Sequence, residues 1–112
     1  MLAMTLAAQV RRLLEAAPAA SLPLTYQQLA EALGLTPPGT IQRVARALEA
    51  LMHEDVGQGR PMMAALVVSR RSGLPAPGFF ELAVTLGRFP ADSARHVEAY
   101  QQEYQRVLSI RE

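Results

Sequence analysis

The segment from Thr25 to Met52 constrains this chain more than any other, because it specifies two short helices and the turn between them. Thr25-Tyr26-Gln27-Gln28 is a Thr-x-x-Gln capping box. In such a box the hydroxyl and the amide side chain each satisfy a backbone N–H left orphaned at a helix start. Tyr26, Leu29, Ala30 and Leu33 follow as an inward stripe, and Gly34 suits the left-handed position that closes a helix. A second helix starts near Thr36 or Thr40, with Pro37 suited to its first turn, and runs to about His53. Its Ile41, Val44, Leu48, Leu51 and Met52 recur at the spacing of a buried stripe, which leaves Gln42, Arg43, Arg46 and Glu49 on the other face.

The flanks read as further helices around one short strand. Leu6, Val10, Leu13 and Leu14 mark a helix from about Leu2 that Pro18 stops. Met62–Val68 is a short apolar run ending in two β-branched residues, and a strand is the better reading of it. A glycine- and proline-rich loop carrying Arg70 and Arg71 follows, then a short helix over Phe79–Leu86 and a longer one over Ala91–Ile110 with Asp92 or Ser93 as cap. On that last helix Val97, Tyr100, Tyr104, Val107 and Leu108 form a stripe with two ways to be covered. Either the first helix covers it, the favoured arrangement, or the same helix of a second subunit does, giving a homodimer.

Composition narrows the function. The 112 residues suit one domain, residues 1–112, and the half that is apolar is enough for a core. No apolar run reaches the length of a membrane span, and Met1-Leu2-Ala3-Met4 lacks the basic start of a secretory signal, so the expected place is the cytoplasm. With no cysteine there is no disulfide, no thiolate metal site and no thiol nucleophile. His53-Glu54-Asp55 ends a helix, where neighbouring side chains diverge, so no metal or other cofactor is expected. No serine sits in a triad-like context, and an enzyme is the weakest reading.

All eleven basic residues are arginine, and the net charge is only +1. Their placement is the functional signal. A helix-turn-helix needs a small residue where its helices cross, a turn tolerant of positive φ, and apolar anchors that free the outer face of its second helix for the major groove. Ala30, Gly34, Leu35, Ile41 and Val44 fill those roles, with a turn about one residue longer than the tightest of its kind. Strand and arginine loop then fall where a winged helix puts its wing. The expected fold is mainly α with a small β wing: helix-turn-helix over 25–53, strand and wing over 62–78, and an extra C-terminal helix over 91–110. Gln42, Arg43 and Arg46 would read base edges in duplex DNA, and Arg70 and Arg71 would hold its phosphates. The competing reading is a protein-interaction module, an inhibitor or adaptor, using the same scaffold and an exposed patch around Phe79, Phe80 and Phe89.

From Leu24 to Phe79 the chain resembles the DNA-binding domain of the alkyltransferases that repair alkylated guanine and of the inactive alkyltransferase-like proteins. Thr25-Tyr26 with Leu29-Ala30 matches that family's Ser/Thr-Tyr-x-x-Leu/Ile-Ala, and Gly34 its following glycine. Arg43-Val44-Ala45 looks like the Arg-Ala-Val of its recognition helix, and Val67-Val68, Gly73 and Gly78-Phe79 look like its end. The resemblance implies a winged-helix fold and contact with DNA, with Arg43 at the arginine that enters the duplex when a base is flipped. Where the family has Cys-His-Arg this chain has Ala64, Ala65 and Leu66, so it has no nucleophile for alkyl transfer. The stretch from Met52 to Pro61 is also longer than the family's connection.

Overall fold

A computed structural model describes residues 4–111. The sequence positions 1–3, where the reading above begins its first helix, lie outside the described residues. Helix α1 spans Leu6–Ala16 and is capped by Thr5, whose hydroxyl accepts the Ala8 N–H at 3.1 Å. After Pro18 and a single 3-10 turn, strand β1 is only Leu24–Thr25 and runs straight into helix α2, Tyr26–Ala32. Both halves of the capping box form: Gln28 N–H donates to the Thr25 hydroxyl at 3.0 Å, and Thr25 N–H to the Gln28 side chain at 2.9 Å. At its other end Gly34 takes φ +71°, with Gly34 N–H on the Glu31 carbonyl and Leu35 N–H on that of Ala30. That is a Schellman closure, and only glycine adopts its left-handed corner cheaply.

Helix α3 spans Thr40–Gly57, so the connection from α2 is Leu33–Gly39, seven residues and well beyond the near-minimal turn expected from sequence. The prolines account for the difference. Each proline keeps the residue before it out of the helical region, so Thr36 and Pro37 cannot begin the helix, and Gly39, at φ +77°, turns the chain into α3. Val44, Ala47, Leu48, Leu51 and Met52 are buried as the stripe predicts, but Ile41 is 46% exposed. It stands at the helix start beside the largely exposed connection, where nothing packs over it.

The expected strand over Met62–Val68 is mostly a 3-10 turn, Met63–Leu66, followed by strand β2 at Val67–Val68. Backbone pairing explains this. The Met62 and Met63 N–H groups are taken by side-chain carboxylates, and Ala65 N–H bonds back to the Met62 carbonyl. Strands β1 and β2 pair in parallel, Leu24 with Val67 and Thr25 with Val68. The fold is therefore mainly helical with a two-stranded parallel sheet, and β2 leads into a closed turn rather than into the second strand of a hairpin wing.

Helices α4, Pro77–Thr85, and α5, His96–Arg111, complete the chain, the second preceded by a 3-10 turn at Ser93–Arg95 that Asp92 caps. Met62–Val68 is buried throughout and lies at the middle of the core. On α5, Tyr100 and Val107 are buried but Val97 is 46% exposed, and the helix packs mainly on the Met63–Leu66 turn rather than on α1, the cover expected from sequence. Tyr100 donates its hydroxyl proton to the Ala65 carbonyl at 2.9 Å. At the helix end, the Arg111 guanidinium donates to the Leu14 and Glu15 carbonyls of α1 and to that of Ala17 just past it, where a cation also suits the helix dipole.

Two carboxylates lie wholly inside. Asp55 Oδ2 accepts the Met63 N–H at 3.0 Å, while its Oδ1 sits 2.8 Å from Arg11 and 3.2 Å from Arg60. Glu103 Oε2 accepts the Met62 N–H and an Arg88 N–H, each at 2.7 Å, and Oε1 lies 3.2 Å from Arg106. A buried charge is tolerated only when paired and hydrogen-bonded in this way. The helical stripes of the sequence mark neither residue as buried. No described helix is long and apolar enough to cross a membrane.

Candidate nucleic-acid interface

Burial of Val44, Leu48 and Leu51 turns the opposite face of α3 outward, and Gln42, Arg43 and Arg46 are all exposed there. Glu49 is exposed one turn beyond Arg46 and dilutes the positive charge of this face. Arg70 and Arg71 are exposed on a tight turn closed by Ser69 N–H on the Leu74 carbonyl at 2.7 Å and Gly73 N–H on the Ser69 carbonyl at 2.9 Å.

The two groups stand on different elements, α3 and the turn after β2, and the second lies beside α2. Arg70 lines an open cleft of about 460 Å³ with Thr25, Gln27, Gln28 and Glu31, so it faces α2 and not the outer face of α3. The β1–β2 pair sets this arrangement, because it fixes the arginine turn beside the start of α2. Tyr26 supplies a second tie: its hydroxyl oxygen accepts the Ala76 N–H at 2.8 Å. Burial raises the Tyr26 phenol above its ordinary pKa, opposed by that hydrogen bond. Gln27, exposed on α2 and lining the Arg70 cleft, belongs to the same surface although the sequence reading passed over it. Its signal was the gap in the α2 stripe, which leaves position 27 facing out.

Ion pairing sorts the arginines into two sets. Arg11, Arg60, Arg88 and Arg106 pair with carboxylates, and Arg111 is spent on α1. Among the described residues Arg12, Arg43, Arg46, Arg70, Arg71 and Arg95 form no salt bridge, and four of these six stand on α3 and on the turn after β2.

Three other sequence expectations meet the geometry here. Ala64 is buried and lines a cleft of about 60 Å³ with Tyr26, Ala45, Met52 and Phe79. A cavity of roughly 150 Å³ is what holds a benzene ring, so this cleft as it stands is too small for a flipped base. The aromatic patch is also different: Phe79 and Phe89 are buried and stack edge-to-face at 5.7 Å, which leaves Phe80 half-buried and stacked on His96. What is open instead is an apolar groove of about 860 Å³ lined by Leu74, Pro75, Pro77, Phe80, Val84 and Val97. Finally, His53 and Glu54 are exposed while Asp55 points inward to Arg11 and Arg60, so the three diverge. No known family model, curated protein or solved structure matches the chain.

Proposed function

We propose that this protein binds duplex DNA without catalysing a reaction on it, as a regulator of transcription or of a phage or mobile element. In this reading Gln42, Arg43 and Arg46 enter the major groove, and Arg70 and Arg71 hold the phosphate backbone. The observation that carries it is the division of the arginines. Five hold the fold together, four through carboxylates and Arg111 through backbone carbonyls at the end of α1, and of the six others four stand on α3 and on the turn beside α2. A guanidinium left exposed and unneutralised is suited to a phosphate, which it meets with two parallel hydrogen bonds.

The test is a salt series with a mixed-sequence duplex. Log K is expected to fall linearly with log salt, and replacing both Arg70 and Arg71 by alanine to reduce the slope by about 2. No binding to any duplex at low salt ends this reading. The groove along α4 and the start of α5 favours the second one, a protein-interaction module, which predicts that Val84→Asp abolishes partner binding and that DNA is ignored.

A further inference from the structure

We propose that the cleft between the Arg88–Pro90 segment and α5 is a binding site for an oxyanion of the phosphate class, on observations separate from those behind the nucleic-acid reading. Arg88, Arg95 and Arg106 line one polar cleft of about 170 Å³, together with Glu98 and Gln102. Two of the three guanidinium groups are held in place from below by buried Glu103. Arg88 Nη1 donates to Glu103 Oε2 at 2.7 Å and to the Arg60 carbonyl at 2.9 Å, and Arg106 Nη1 donates to Glu103 Oε1 at 3.2 Å.

Donors outnumber acceptors at this cleft. A guanidinium carries five N–H donors and no acceptor. Arg88 and Arg106 each use one nitrogen on protein oxygens, and Arg95 uses none among the described residues. Glu103 is fully buried and already receives the Met62 N–H, which leaves Glu98 as the one carboxylate at the opening. Three cations thus face two carboxylates, one of them spent inside. Because Glu103 fixes Arg88 and Arg106 before any ligand arrives, little ordering cost remains for binding. The planar fork of arginine matches a tetrahedral oxyanion, which offers several acceptors at once, better than it matches a halide. The same chemistry is offered by a free phosphate or phosphomonoester and by a phosphate of a nucleic-acid backbone.

The experiment follows backbone amide resonances of the full chain as inorganic phosphate is added, with sodium chloride at matched ionic strength as control. Ala99 and Gln102 are expected to shift saturably with phosphate and not with chloride. Arg95→Ala, at an exposed position, should keep a folded spectrum and weaken the response by about tenfold, the loss of one charge-assisted hydrogen bond. Arg12→Ala, on the outer side of α1, should leave it unchanged. Repeating the titration with a duplex present separates the sources: a suppressed response assigns the cleft to backbone phosphate, and an unaltered one to the free ion. Equal responses to phosphate and chloride, or an Arg95→Ala variant that responds like the parent, would overturn the site. Both outcomes are readable even if the chain binds no DNA.

Discussion

Tyr100 shows how much one side chain can report. It is buried, donates its proton to the Ala65 carbonyl, and lies edge-on to Phe79 at 6.2 Å. Burial, with the neighbouring Tyr104 and Tyr26 phenols, holds its pKa well above the ordinary value near 10. The folded protein therefore keeps this proton at a pH where the unfolded chain has lost it. The stabilisation is complete below about pH 10 and declines as pH rises above that value. Urea unfolding from neutral pH to about pH 11 should show this decline in the parent and a shallower one in Tyr100→Phe. Equal slopes in the two proteins would refute the assignment. The substitution should also cost about 1 kcal/mol at neutral pH, since it leaves the Ala65 carbonyl without its donor.

Among the elements, α2 depends most on its ends. Seven residues are too few for a helix to persist by propensity, so its caps and its packing on α3 must hold it. Thr25 does two things, closing the capping box and pairing with Val68 in the sheet, and through the sheet it fixes the position of the arginine turn. Thr25→Ala is expected to lower stability by about 1 kcal/mol in urea unfolding. It should also speed amide exchange at Gln28, whose N–H loses its acceptor. Unchanged exchange there would show that the cap is not what holds the helix. Local signals of this kind were legible from sequence: the capping box, the stop at Pro18, the glycine closing α2, and the Val44–Met52 stripe. Each depends on groups within a few positions along the chain. The length of the α2–α3 connection was misjudged because glycine and proline mark where a helix breaks and not how far away the next begins.

At the scale of the molecule, its charged groups fall into a structural set and a free set. Asp55 and Glu103 each take one amide of the Met62–Met63 pair and are each clamped by two arginines. Glu103→Gln should therefore destabilise the protein by about 3 kcal/mol, because it leaves the largely buried Arg88 guanidinium without its carboxylate, whereas exposed Arg106 falls back on water. Arg43→Ala or Arg70→Ala should stay within about 0.5 kcal/mol, as exposed positions do, whatever their effect on DNA affinity. Thermal or urea unfolding of the three variants checks the division, and comparable losses in all of them would erase it. Legible in the residues alone were the α-helices, the apolar face of α3 from Val44 to Met52, and the exposure of Gln42, Arg43, Arg46, Arg70 and Arg71. Those outcomes follow from side-chain periodicity and from turn chemistry, which act over short stretches of chain. Long-range contacts alone settle that Met63–Leu66 is a 3-10 turn, that β1 pairs in parallel with β2, that Arg70 turns toward α2, that Ile41 stays uncovered, and that two carboxylates go inside. Each of these depends on what a distant segment brings to the contact, and a partner that is remote in sequence leaves no local pattern.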